Sequence, residues 1–298
     1  MPALFSRVAV VGTGLIGGSF ALAARSALDG GRIVGWDKPA VLDRAMARGA
    51  FDEVHAELKD ALAGADLIYI ALPVGMAIER LPEIARHASP GALVTDASST
   101  KRAICAAAEK CIPDGVRFLG GHPMAGSESS GIDAADAALF RGAKYALIGS
   151  STQDVSTARI ESAEKAHPHV AKFLQLIEAM GARPIWMDAA THDRAAAIVS
   201  HLPQMIAVAL VGIAHEATDQ TGLPLTLAGR GLRDALRLAG SPYSVWRDIV
   251  LTNTDNLDAA LDHLAQAIEH LRANLRQREL EEEFSSANEV YKILRNLQ

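Results

Sequence analysis

The chain lacks most of the features that would mark a secreted, membrane-spanning or nucleic-acid-binding protein. Of 298 residues only two are cysteine, Cys105 and Cys111, both in a stretch of helical spacing. At that separation they point to different faces, so they read as reduced thiols and not as a disulfide or half of a metal site. No group of histidines, cysteines and carboxylates has metal-ligand spacing, His167 and His169 around Pro168 being too isolated, so no metal is expected. No apolar run reaches the ~18 residues of a membrane helix, and Met1 to Arg7 leads into a strand without a signal-peptide pattern. The net charge of -6 argues against nucleic acid or an anionic membrane as the main partner, while leaving room for an anionic substrate in a locally basic pocket. The expectation is a cytoplasmic protein. No repeat or low-complexity tail is visible, and Glu281-Glu282-Glu283 reads as a solvated helix face.

What is present is the alternation of a dinucleotide-binding fold. Hydrophobic residues at 49% and charged residues at 21% are ordinary for a globular protein, and the length suffices for two domains. Arg7-Val-Ala-Val-Val-Gly12 reads as a buried strand that runs into Gly12-Thr-Gly-Leu-Ile-Gly-Gly-Ser19 and an alanine-rich helix. Gly12, Gly14 and Gly17 have G-x-G-x-x-G spacing. The first permits a tight turn, the second lets a pyrophosphate reach the backbone, and the third lets helix pack on strand. Leu15 and Ile16 open the helix, whose free N–H groups and positive dipole end would face the phosphates. No lysine stands in the Walker position, which argues against an ATP-binding loop. A second strand, Arg32 to Asp37, ends in an acid suited to the adenosine ribose hydroxyls, whose charge would repel a 2′-phosphate. That favours NAD over NADP, although Lys38 and Arg44 lie nearby; the bland alternative is that Asp37 merely caps the next helix.

Leu67 to Leu72 is a continuous apolar run, as suits a strand buried on both faces, and it ends at Pro73, where the chain can turn over a cofactor. Leu93 to Asp96 and Arg117 to Gly120 are further strands, and Tyr145–Ile148 with Pro184–Met187 are expected to complete the sheet. Ligands of open α/β sheets gather outside the carboxyl ends of the strands, and Gly12, Pro73, Asp96 and His122 all follow strand ends. His122 lies in Gly120–Gly131, a loop too rich in glycine for helix or strand, and a histidine is the side chain best suited to exchange a proton near neutral pH.

From Asp188 onward the pattern becomes helical: Ala189–Ser200, Gln204–Thr218, Ser244–Asn274 and Glu279–Leu297. The expected fold is thus a Rossmann-type doubly wound α/β sheet over residues 1–188, followed by an all-α domain over 189–298. The long apolar helices suggest a homodimer. In Ser200-His201-Leu202-Pro203-Gln204 the proline should kink the helix and place His201. Arg233 and Arg237 are four apart on one helical face, an arrangement that repels unless an anion lies between the guanidinium groups. A solvated basic face and a satisfied interior histidine are the plain alternatives for these two places.

The chain resembles the prephenate dehydrogenase (TyrA-type) family, which includes arogenate and cyclohexadienyl dehydrogenases. The resemblance runs from about Val8 to Asp248. It rests on the glycine motif, Asp96-Ala-Ser-Ser-Thr-Lys101, Gly121-His-Pro-Met-Ala-Gly126 with Glu128 and Gly131, Ser200-His-Leu-Pro-Gln204, Leu232-Arg-Asp with Arg237, and Trp246-Arg-Asp248. It implies that His122 is the catalytic base, supported by the hydroxyl of Ser99. It further implies that His201, Arg237 and Arg233 bind substrate and that Glu128 lies at the pocket mouth. Ser98 stands where the family often has glycine, and Arg233 where it often has lysine. The small-molecule substrate would be prephenate, arogenate or both, the cofactor NAD. A β-hydroxyacid or imine-reducing dehydrogenase is the nearest rival, but such enzymes use a lysine of the helical domain and none occurs between Lys172 and Lys292. A non-catalytic NAD-binding redox sensor is the other, and no basic DNA-binding segment supports it. With little chain after Leu297, no appended regulatory domain is expected.

Overall fold

The computed structural model describes residues 4–127, 129–149, 167–218, 222–223, 225–276 and 280–296. Its centre is a set of short strands, the middle ones apolar and buried on both faces. Strands β1 (Arg7–Val11), β2 (Arg32–Trp36), β3 (Glu53–His55), β4 (Leu67–Ile70), β5 (Leu93–Asp96) and β6 (Arg117–Leu119) form one parallel sheet in the order β3-β2-β1-β4-β5-β6. Alternate residues feed two separate cores. Val8, Val10, Leu67, Tyr69 and Leu93 pack on one face, while Ala9, Val11, Ile68, Ile70 and Val94 pack on the other. Period-2 alternation with both faces apolar requires helices on both sides, and this is the doubly wound Rossmann arrangement. The intervening helices are α1 (Leu15–Ala24), α2 (Pro39–Ala47), α3 (Leu58–Leu62), α4 (Val74–His87) and α5 (Arg102–Cys111). Strand order reverses between β1 and β4, which opens the crevice above their carboxyl ends.

Tyr145–Ile148 and Pro184–Met187 do not complete this sheet. They belong to a second, three-stranded one: β7 (Gly121–Pro123) runs antiparallel to β8 (Lys144–Ile148), which runs parallel to β9 (Arg183–Met187). Helix α6 (Pro168–Ala179) lies between β8 and β9 in the chain. The transfer between sheets is made by two glycines. A side chain on Gly120 would meet Cys105 Sγ at 2.9 Å, and one on Gly121 would meet the Asp96 carbonyl oxygen at 2.7 Å. Only a residue without Cβ lets the chain leave β6 so close to α5 and β5 and pair elsewhere. His122 is therefore held in a strand and not in a free loop. Cys105 and Cys111 are free thiols, and burial pushes Cys105 up to about 12.

After β9 the chain is helical. Helix α7 (Ala189–Ala196) starts at Asp188, whose carboxylate accepts from Thr191 N at 2.9 Å as an N-cap. It continues through a wide π turn, Ala197–His201, into α8 (Leu202–Glu216). The kink expected at Pro203 is thus a π bulge: the wider turn accommodates a residue that lacks an N–H and crowds the preceding turn. Counted as one helix, Ala189–Glu216 is long and apolar enough to cross a membrane by length and composition, contrary to the reading of the sequence run by run. The runs are interrupted by His192, Asp193, Arg194 and His201, and three of these four are buried and face inward. On the outer side Ile198, Val199, Val208 and Ile213 are 51%, 64%, 51% and 64% exposed. Helices α9 (Arg230–Leu236), α10 (Tyr243–Thr252), α11 (Thr254–Asn274) and α12 (Glu281–Asn296) follow. The long helix expected over Ser244–Asn274 is broken at Asn253, where φ is -136° and ψ 28°.

Candidate active site

The glycine motif adopts the three roles its spacing predicts. Gly12 has φ +100°, and a side chain there would strike the Ala71 carbonyl oxygen at 2.6 Å. Gly17 is packed so closely that a Cβ would lie 1.9 Å from the Gly12 oxygen, whereas nothing stands within 4 Å of the corresponding point on Gly14. Turn and helix contact are closed, and the middle glycine is left open to a ligand. Asp37 does not cap α2. Its Oδ2 accepts from Thr13 N at 2.7 Å and from Thr13 Oγ1 at 3.1 Å, and its Oδ1 from Lys38 N at 2.7 Å. It therefore braces the glycine loop and keeps acceptor capacity for a further donor. Arg44 is engaged elsewhere, in an ion pair with Asp133.

A cavity of about 410 Å³ opens over this loop. Gly14, Leu15, Ile16 and Pro73 line it from the sheet side, Ser98 and Ser99 from the end of β5, and Val245 and Ile249 of α10 from the helical half. Gly126 and Gly131, from the segment after His122, close a further side. Residues far apart in sequence thus meet around one space at the carboxyl edge of the sheet.

His122 sits at that edge, 8% exposed. The backbone before it is anchored by a fully buried ion pair, Lys101 with Asp96. Lys101 Nζ donates to the Gly121 carbonyl at 2.6 Å, while Asp96 accepts from Gly121 N at 3.1 Å and from Ser98 N at 2.9 Å. Removing either partner of such a pair would strand a buried charge, typically at ~3–5 kcal/mol. His122 Nδ1 lies 2.9 Å from His192 Nε2, and His192 Nδ1 lies 2.8 Å from Asp193 Oδ1. Among the described residues the His122 side chain hydrogen-bonds through Nδ1 alone, and Nε2 has no partner. Burial, then the neighbouring His192, Lys101 and His201, push the His122 imidazole well below the ordinary histidine value. Burial would raise Asp193, but hydrogen bonds from His192, Arg102 N and Lys101 N outweigh it and hold the carboxyl below its usual range.

Of the other residues singled out from sequence, Ser99 lines the cavity but makes no hydrogen bond to His122. His201 is fully buried, with Nδ1 3.2 Å from Asn253 Nδ2, Nε2 without a partner among the described residues, and Trp246 edge-on at 5.9 Å. Burial drives it down to about 4, against the raising effect of Asp193. Arg233 lies in α9 and Arg237 directly after it, both exposed, a few residues ahead of the Val245–Ile249 wall. Glu128 falls outside the described residues. The reading of the sequence missed His192, Asp193 and Asn253. A His-Asp pair early in a helix and an asparagine at a helix break were the only signals, and neither says what the side chains will meet.

A family profile described as the nucleotide-binding domain of prephenate dehydrogenase matches residues 20–179, and one described as its dimerization domain matches residues 188–288. The chain belongs to the prephenate dehydrogenase family. Prephenate dehydrogenase of Bacillus subtilis (strain 168) is 32% identical over 281 residues, 93% of this chain and 72% of that one. Cyclohexadienyl dehydrogenase of Zymomonas mobilis is 31% identical over 271 residues, 90% and 88% of the two chains. Among solved structures, prephenate dehydrogenase from A. aeolicus in complex with hydroxyphenyl propionate and NAD+ superposes with a TM-score of 0.82 at 28% identity, covering 98% of each chain. Synechocystis arogenate dehydrogenase superposes with a TM-score of 0.73 at 28% identity, covering 97% of this chain and 99% of that one.

The two depressed imidazoles couple stability to pH. Below about 6.5 the unfolded chain binds protons at His122 and His201 that the folded chain refuses, so stability rises with pH there. For His201 the loss is complete once pH has fallen through about 4. The thermal midpoint of the native chain is therefore expected to fall steadily between those values, and His201→Asn to flatten the slope in a calorimetric pH series.

Proposed function

We propose that this chain catalyses the NAD-dependent oxidative decarboxylation of prephenate to 4-hydroxyphenylpyruvate, of arogenate to tyrosine, or of both, in tyrosine biosynthesis. One observation carries the residue assignment. A buried, uncharged imidazole, its Nε2 unpartnered among the described residues, stands at the carboxyl edge of a dinucleotide-type sheet, on the strand that leads into Ala125 and Gly126 on the wall of a cavity that begins at the open flank of Gly14. The open middle glycine, the α1 N-terminus and Asp37 fit a dinucleotide. Asp37, with Arg44 turned to Asp133, favours NAD over NADP.

NAD, held at the open flank of Gly14 and the α1 N-terminus, would supply the hydride acceptor for the hydroxyl-bearing ring carbon. His122 Nε2 takes the proton of that hydroxyl as the C–O bond becomes a carbonyl. The ring carboxylate leaves as CO2, and its electron pair completes the aromatic ring as a phenolate, to which His122 returns the proton. Protons therefore balance within the site. Ser99, on the cavity wall, orients the reacting hydroxyl. Arg237, with Arg233 and His201, binds substrate carboxylate, and Glu128 contributes to substrate binding. Guanidinium groups suit this task because their planar fork matches a carboxylate.

In this reading residues 1–188 bind the dinucleotide, and residues 189–298 bind substrate and pair two copies into a homodimer expected in the cytoplasm. The outward apolar side chains of α8 support that pairing, since exposed patches of this kind mark interfaces. Sedimentation at micromolar concentration should show a dimer; a monomer alone would contradict the pairing.

NADH and NADPH formation, followed in parallel with prephenate and with arogenate, tests the activity, and no reduced cofactor with either substrate would sink it. His122→Asn should lower kcat by ~10²-fold or more with substrate affinity little changed, the usual contribution of a general base. An unchanged kcat would move the base elsewhere. Arg237→Ala should mainly raise KM for prephenate and leave NAD affinity intact, as titration of cofactor binding checks.

A further inference from the structure

The geometry points to His192 and Asp193 as positioning residues that fix which nitrogen of His122 carries the proton. The inference rests on His122 acting as the base. Asp193 is surrounded by donors. Its Oδ1 accepts from Lys101 N at 2.7 Å and from His192 Nδ1 at 2.8 Å, and its Oδ2 from Arg102 N at 2.9 Å and Arg102 Nε at 3.3 Å. A carboxylate in that company stays ionised and can only accept. His192 must then carry its proton on Nδ1, so the neutral ring offers a lone pair at Nε2. His122 Nδ1, 2.9 Å away, has to donate to it. That leaves His122 Nε2 bare and able to take a proton, and once it has done so the resulting imidazolium is still held by an acceptor. Reverse either link and Nε2 becomes a donor that cannot act as a base.

The same carboxylate ties this choice to the docking of the two halves. Asp193 comes from α7, but the backbone N–H groups it accepts are those of Lys101 and Arg102 at the start of α5. It serves as the cap that α5 lacks locally, since the N-cap residue Lys101 makes no side-chain cap bond. Asn253, at the break between α10 and α11, donates to the Asp193 carbonyl at 2.8 Å and steadies the same turn. When α7 is seated on α5, His122 has the right tautomer; if it is displaced, nothing else among the described residues sets it.

Histidine-labelled 15N protein, full length and with NAD, reads the tautomer directly through long-range 1H–15N correlations, with the His122 signals assigned by their loss in His122→Asn. In the native chain His122 is expected to show a protonated Nδ1 and a bare Nε2. His192→Leu removes the acceptor, so a mixed or reversed His122 tautomer is expected, with kcat lowered ~10-fold or more and KM little changed. His192→Gln offers an amide oxygen to Nδ1–H and should restore both. Asp193→Asn, whose amide can either donate to His192 or accept from it, should give a mixed tautomer even if the fold is weakened. A native His122 protonated on Nε2, or a bare Nε2 that persists in His192→Leu, would overturn the inference. The spectrum needs no turnover, so an unreactive enzyme with the expected tautomer would count against the activity reading and not against this one.

Discussion

One carboxylate joins the two halves of this molecule. Asp193 has four donors around it, about as many as a carboxylate can accept, and two of them are backbone N–H groups of the opposite half. A buried anion is expensive to desolvate unless its lone pairs are taken up, and here they are. The consequence is geometric. A helix N-terminus of the nucleotide-binding half, α5, and the first helix of the C-terminal half, α7, are locked at a distance set by hydrogen bonds. His192 and His122 fall between them. The wall formed by Val245 and Ile249 then faces the glycine loop across the cavity.

A second buried charge pair does similar work inside the first half. Lys101 and Asp96 are both fully buried, and between them they hold the N–H and C=O of Gly121. The two anchors share one segment, Asp96 to Arg102, which leaves β5 at the crevice. Its side chains hold the histidine strand, its backbone receives Asp193, and its serines line the cavity. A loop that is only seven residues long thereby connects cofactor space, base and helical half. Flexible loops do not support such precision; this one is fastened at both ends by buried hydrogen bonds.

The large features of the fold were legible because they depend on local patterns. Runs such as Leu67–Ile70 are apolar throughout because both faces are covered, and the glycine spacing reports steric demands that only glycine meets. The separate three-stranded sheet was not legible. Tyr145–Ile148 has the composition of any buried strand, and what diverts it is the passage of Gly120–Gly121 between α5 and β5, a contact between distant segments. Likewise Ala189–Glu216 broke into short runs when read residue by residue, since buried polar side chains on its inner face interrupt an apolar series that only the helix reassembles.

The sequence by itself determined the class of site: a dinucleotide-type glycine loop, an acid after the second strand, a histidine at a strand end and a helical second half. Each of these follows from residue type and spacing within about thirty positions. Only the tertiary structure decided what surrounds the histidine. His122 and His192 are seventy positions apart, and no periodicity links them. The partner of Nδ1, the buried lysine that holds the strand and the carboxylate shared between halves all arise where segments pack. Hydrogen-bond roles in a buried chain are set by which groups meet, and that is a property of the fold.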